Sequence, residues 1–385
     1  MKLGSATFTD DPLARLAALD CRVLIKFDPM HPNSRNAQTS LVKSYMRTVF
    51  NIPEGRDYMW SGYPSEPILA EAAARLLNNK GGDLIMHQAP LILESALSSS
   101  FLARGERGEL VARTLFTVAH DRAIMSAMPD PPAGPHFHRP VRFVEFLEHL
   151  LAPDIWAIVQ DAPPGHAYPD SPSLKVAFQD AWVNFSHFVQ LGNLASFTLH
   201  CASELLKRGA AMQTFDNQYN LDGGIPILHG DPSTTTISQN TTNVARYQVK
   251  NAAKQLRVAI DPRVVDSNEN FPIITIIMQL GVEKEGKERV VVQTINKQDV
   301  MGPAGDLRPR PPSIQRRHYD ITLYGCTSKT YSCIPENSLA YSRLLRTQKL
   351  MTNFPRANYC ENLSSFFALK PVIHDMDSVS MSWGN

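Results

Sequence analysis

Neither an excess of charge, nor a cysteine framework, nor a long apolar run marks this sequence of 385 residues. Lysine and arginine (38) nearly cancel aspartate and glutamate (37), so no overall basicity announces nucleic acid, and any such binding must come from local patches. The five cysteines (Cys21, Cys201, Cys326, Cys333, Cys360) are odd in number, scattered and without a C-x-x-C pair. That argues against a disulfide scaffold or a zinc site and fits buried thiols in a reducing compartment. The start has no charged segment leading into an apolar one, and no run approaches the roughly 18 apolar residues of a membrane span. The expectation is an intracellular protein, nuclear or cytoplasmic, with no membrane contact. The sequons at Asn184, Asn240 and Asn362 would then stay unmodified.

What is present is a mixed pattern with 43% hydrophobic residues, suited to a globular fold of one elaborated domain or two. Residues 1–58 read as an irregular polar leader, with turn chemistry around Asp28, Pro29, His31, Pro32 and Asn33. Glu66-Pro67 opens a helix whose Ile68, Leu69, Ala72, Ala73, Leu76 and Leu77 recur at helical spacing. Helical stretches follow over 89–102 and around Glu109, forming a helical N-terminal layer. Proline-rich loops occupy 129–140 and 162–172, and segments 141–151 and 174–207 read as helices with aromatic faces (Phe178, Trp182, Phe185, Phe188). Residues 140–207 are therefore expected to be a helical insertion. Strands are expected at 210–215, 224–229, 244–250 and 273–281, the last nearly all apolar and so covered on both faces. A main domain over 59–375 and a tail over 376–385 complete the division.

The most direct pointer to chemistry is Asp222, which precedes the apolar run 225–228, followed by Tyr247-Gln248-Val249-Lys250 on the next strand. Side chains alternate along a strand, so Gln248 and Lys250 share a face and Val249 takes the other. If the two strands pair as a hairpin, Asp222 meets that face at one end of the sheet. A carboxylate there suits Mg²⁺, which prefers oxygen, and a nearby lysine suits the charge of a phosphate under attack. Asp222 also reads as a turn aspartate before Gly223-Gly224, Lys250 as an edge lysine, and Gln248 as a structural amide. On helical phase Glu109 falls opposite the stripe of Val111, Leu115, Val118 and Ala119, alongside Arg113 and His120. It either faces solvent in an i,i+4 pair with Arg113 or faces a cleft.

Asp222, the Gln248-Val249-Lys250 triplet and the helix in "RGERGELVARTLFTVAHDRA", with "RGAAMQTFDNQYNLDGGIPIL", "YQVKN" and "FPIITIIMQLG", together resemble the PD-(D/E)xK nuclease superfamily. More narrowly, they are similar to fungal proteins related to the nuclease-type domains of Crinkler effectors. The resemblance, over roughly residues 60–375, implies an α/β restriction-endonuclease-like fold with an αβββαβ core and a mixed sheet. It implies metal-dependent hydrolysis of DNA or RNA. Asp222 would be the principal ligand of Mg²⁺ or Mn²⁺, Gln248 and the Val249 carbonyl secondary ligands, Lys250 the water-orienting cation and Glu109 an accessory acid. Gln248 departs from the family's Asp or Glu, and an amide brings no charge to a metal. The alternative is a catalytically silent nuclease-like module that binds nucleic acid or protein.

Two further motifs are set aside. His136 and His138 lie two apart in a loop, unlike a helical i,i+4 metal pair. The segment 281–287 has the spacing of a phosphate loop, but Glu288 stands where the Mg²⁺-binding Ser or Thr belongs and residues 289–292 read as a strand. A hairpin turn fits better. Strand-like runs at 319–324 and 330–334 suggest a late hairpin, and 338–350 a helix. For nucleic-acid backbone contacts, Arg308, Arg310, Arg316 and Arg317 in the loop 302–317, and Arg343 and Arg346 on that helix, are the basic candidates.

Overall fold

A computed structural model describes residues 11–27, 32–52, 54–55, 59–78, 83–98, 107–127, 136–164, 172–215, 221–258, 260, 268, 270–293, 318–336 and 338–345. The fold begins with helix α1 (Pro12–Val23), started by Asp11, whose Oδ1 accepts from the N–H groups of Leu13 (2.8 Å) and Ala14 (3.3 Å). This satisfies donors that have no partner inside the helix. Leu16, Leu19 and Val23 form its buried stripe, and Leu24 ends it in the left-handed conformation (φ 55°). Helix α2 (Pro32–Ser44) and strands β1 (Thr48–Asn51) and β2 (Trp60–Gly62), an antiparallel pair, follow. The expectation of an irregular leader over 1–58 is thus corrected. Asp and Pro serve helix starts as well as turns, and here Asp11-Pro12 and Pro32 open helices.

Helices α3 (Pro67–Leu77), α4 (Asp83–Ser98) and α5 (Arg107–Ala127) complete the helical layer. Among them α5 is buried nearly all round, including its polar Arg113, Thr114, Thr117, His120 and Asp121. Each such group needs a partner, and Asp121 shows how this is met. It accepts from Arg22 Nη1 (2.5 Å) and Nη2 (2.7 Å) and from Asn78 Nδ2 (2.7 Å), while Arg22 Nε donates to Ser186 O (2.9 Å). One carboxylate thereby ties α1, the end of α3 and α5 together. The helix is interior because α1 covers the side that periodicity assigned to solvent.

Beyond α5 come β3 (Val141–Arg142), α6 (Phe143–Leu150), α7 (Pro153–Val159), α8 (Leu174–Ala177), β4 (Ala181–Val183), β5 (His187–Gln190) and α9 (Leu199–Lys207). Residues 140–207 are therefore not a purely helical insertion. The aromatic positions that match a helical period also suit strands, and pairing with neighbouring strands decides. β4 lies antiparallel to the end of β7 (Gly223–His229), and β5 parallel to β6 (Ala210–Gln213).

The remaining strands are β8 (Thr242–Lys250), β9 (Ile273–Gln279), β10 (Val290–Gln293) and β11 (His318–Tyr324). Among the described residues the nine-stranded mixed sheet runs β10-β11-β9-β8-β7-β4-β3, with β6 also on β7 and β5 on β6. β6, β7 and β8 form an antiparallel meander, whereas β8, β9 and β11 are parallel. β11 lies between β9 and β10, so the hairpin expected across 281–289 does not form. Nor do residues 330–334 pair as a strand with β11; Tyr331 makes only an isolated bridge to Leu151. Residues 340–345 are helical, and the rest of the helix expected to 350 lies outside the described residues. No helix among the described residues is long and apolar enough to cross a membrane.

The two faces of the parallel strands differ in chemistry. Register places Ala245, Ile274 and Tyr319, then Tyr247, Ile276 and Ile321, then Val249, Met278 and Leu323 in rows on one face, all in the main core. Phe116 of α5 packs there on Tyr247, ring centroids 5.1 Å apart. The opposite face carries Arg246, Thr275 and Asp320, then Gln248, Ile277 and Thr322, then Lys250, Gln279 and Tyr324.

Candidate functional site

The entry to β7 is irregular. Gly223 pairs with Tyr247, yet the Asp222 N–H also donates to Tyr247 O (3.1 Å), so two residues address one, the arrangement of a β-bulge. Gly223 is required by close approach: a Cβ there would lie 2.2 Å from Met212 O and 2.3 Å from the Tyr247 hydroxyl. The bulge turns the Asp222 carboxylate onto β8, where Oδ2 accepts from the Val249 N–H at 2.6 Å. Thr214 N–H and Oγ1 bond to the carbonyls of Asp222 (3.0 Å) and Leu221 (2.8 Å), fixing the approach from the other side.

Burial raises the Asp222 carboxyl above the ordinary carboxylate value, against the pull of the Val249 N–H and of the positive charges on Lys250 and Arg113. Glu109, in the first turn of α5, is likewise raised by burial. Arg113, Lys26 and the Gln213 bond lower it, and the charge of Asp222 raises it. Its Oε2 accepts from Gln213 Nε2 (3.1 Å) and lies 3.7 Å from Arg113 Nη1. Two carboxylates thus sense one another, held by protein donors and flanked by cations.

Asp222, Glu109 and Lys250 therefore share one neighbourhood, though not one face. Glu109 and Gln213 lie on the α5 side, Gln248 and Lys250 follow the polar side of β8, and Asp222 sits at the rim between them. Gln248 is fully buried, and neither its Oε1 nor its Nε2 has a hydrogen-bond partner among the described residues. An amide in that state carries a desolvation cost that a ligand would relieve. Val249, expected to offer a carbonyl, is seen to donate its N–H to Asp222.

No group of three or more His, Cys, Asp or Glu side chains suited to a metal occurs among the described residues. Mg²⁺ is commonly held by one or two carboxylates, the remaining positions going to water and substrate phosphate. Asp222 and Glu109 are the two carboxylates coupled by charge here, and the Gln248 amide lies on the other face of β8.

Of the basic candidates, Arg343 Nη1 pairs with Glu94 of α4 at 3.2 Å. Arg308, Arg310, Arg316, Arg317 and Arg346 lie outside the described residues. Sequence reasoning missed Gln213 and Lys26 as neighbours of Glu109. Lys26 follows the turn at Leu24, whose carbonyl, with that of Val23, accepts from Arg113 (3.1 and 2.7 Å). A lysine in a segment read as a leader gives no signal of its own.

A family model described as "Domain of unknown function (DUF8736)" matches residues 10–128, from the start of α1 to the end of α5, and so includes Glu109 but not Asp222, Gln248 or Lys250. No curated protein and no solved structure matches the chain.

Proposed function

We propose that this protein is a metal-dependent phosphodiesterase acting on nucleic acid, with a restriction-endonuclease-like core formed by α5, β6, β7, β8 and β9. The supporting observation is the bulged Asp222, clamped by the Val249 N–H at 2.6 Å and in electrostatic reach of both Glu109 and Lys250. Asp222 and Glu109 would hold Mg²⁺ or Mn²⁺. Such an ion lowers the pKa of a bound water and neutralises charge on a phosphate. Asp222 keeps its carboxylate oriented because one oxygen is already occupied by a backbone donor. Lys250 places a positive charge where negative charge grows on the phosphate oxygens. Gln213 and Arg113 fix the rotamer of Glu109. A nucleic-acid substrate would place this activity in the nucleus or cytoplasm.

A second reading, a silent nuclease-like module, is favoured by one feature: Gln248 stands where a third acid would add charge. The two are separated by incubating labelled DNA and RNA with purified protein and Mg²⁺ or Mn²⁺. Cleavage that disappears in Asp222→Asn and Lys250→Ala supports the enzyme. Asparagine still accepts from Val249, so loss of activity would not merely report a lost clamp. Binding without cleavage supports the module.

A further inference from the structure

Immediately after Lys250 the chain reads Asn251-Ala252-Ala253-Lys254-Gln255-Leu256-Arg257, three cations with Lys250 included and no acid. These residues form neither helix nor strand, and residues 253–257 are exposed. A charge run of this kind is ordinarily a loose, solvated connector. Here it is fastened at several points. Gln279, the last residue of β9, brackets Leu256 by accepting from its N–H and donating to its carbonyl, both at 2.9 Å. Gln255 Nε2 donates to the Tyr324 hydroxyl at the end of β11 (2.9 Å), and Asn251 Nδ2 to Leu345 O (3.3 Å). Gly281 is pressed against the segment: a Cβ there would lie 2.7 Å from Ala252 O. Lys284 Nζ, 3.9 Å from the centroid of the Tyr324 ring, adds a further cation on the same anchor.

The segment therefore crosses the carboxyl ends of three parallel strands, β8, β9 and β11, which in open α/β sheets is the edge where ligands bind. Fixing a loop by its backbone and amides leaves its charged tips directed outward at little further entropic cost. We propose that residues 250–257 form a phosphate-binding strip that carries the backbone of a nucleic-acid strand away from Asp222, with Lys254 and Arg257 as its contacts. This rests on the nucleic-acid reading above and adds where the strand runs. Eight residues span at most about 28 Å, enough to follow several successive phosphates.

The test uses the full chain carrying Asp222→Asn, so that substrate is not consumed, and fluorescence anisotropy of a labelled single-stranded oligonucleotide, as DNA and as RNA, over a NaCl series. Removing both cations with Lys254→Ala and Arg257→Ala should weaken binding about tenfold or more near 0.1 M salt and reduce the salt slope by about 1.4, at about 0.7 per phosphate contact. Lys287→Ala, an exposed lysine in the turn before β10, should leave both unchanged. Equal binding by the double variant, equal loss in Lys287→Ala, or no binding at all would overturn the strip. So would displacement by polyglutamate as effective, charge for charge, as by nucleic acid. The two proposals fail separately. Strip-dependent binding with no cleavage by the unsubstituted protein removes the catalytic reading alone, whereas metal-dependent cleavage indifferent to the double variant removes the strip alone.

Discussion

On one face of the parallel strands the nine registered positions are aliphatic or aromatic and packed in the core; on the other, seven of nine are polar, with Ile277 and Tyr324 the exceptions. A parallel sheet is ordinarily covered on both faces and apolar on both. The difference separates two tasks. The face under α5 supplies burial, at roughly 1.5–3 kcal/mol for a fully covered large side chain. The other face carries Arg246, Gln248 and Lys250 on β8.

That division is open to attack, and the largest effect is expected in acid. Burial holds His120 and His187 down to about 3 and His229 to about 4. These groups stay neutral in the fold but charge on unfolding below the ordinary value near 6.5, so stability falls as pH falls from there towards 4. The maximal slope is about 1.4 kcal/mol per pH unit for each histidine. Urea unfolding at stepped pH reads it, and a flat profile between pH 6.5 and 4 would contradict it. Next, Phe116→Ala removes a ring packed on Tyr247 and Phe146 and should cost about 3–5 kcal/mol by the same assay. A cost below about 1 kcal/mol would move the centre of stability elsewhere.

The polar face predicts the opposite sign. Gln248→Met replaces a fully buried amide, with no partner for either atom, by a side chain of similar shape, and should stabilise the apo protein by about 1–2 kcal/mol. Destabilisation would mean that the amide is bonded and structural. The smallest effect concerns Glu109, whose folded pKa is raised by burial. Its contribution is most favourable below the unfolded carboxylate value and is lost as pH rises through the folded one. Glu109→Gln should therefore give a small gain in melting temperature at pH 7 and none at pH 4. A loss at pH 7 would show that the Arg113 pair outweighs burial.

Much of this fold was legible where local pattern and packing agree. The helix at Pro67, the four strands from β6 to β9 and the buried run of β9 follow from proline placement and apolar continuity alone. Legibility failed where the same residue types serve two structures. Pro32 opens a helix rather than a turn, Asp11-Pro12 opens one inside a segment read as irregular, and Phe185 and Phe188 belong to a region that pairs with distant strands. It failed again for α5, because no periodicity announces that a polar face will be covered by another helix 90 residues earlier, as Arg113 is by Val23. At the candidate site, the placement of Asp222 before β7 and of Gln248 and Lys250 on one face of β8 followed from strand alternation. Gln213 and Lys26 were not readable in this way, since their nearness to Glu109 arises only from the tertiary fold.

The most direct test is a Mn²⁺ titration followed by electron paramagnetic resonance of the free ion. A site at the Asp222 rim predicts saturable binding by the unsubstituted chain, its loss in Asp222→Asn, and its persistence in Asp320→Asn, an acid on the polar face that pairs with His318 instead. Binding that survives Asp222→Asn, or that vanishes only with Asp320→Asn, would contradict it.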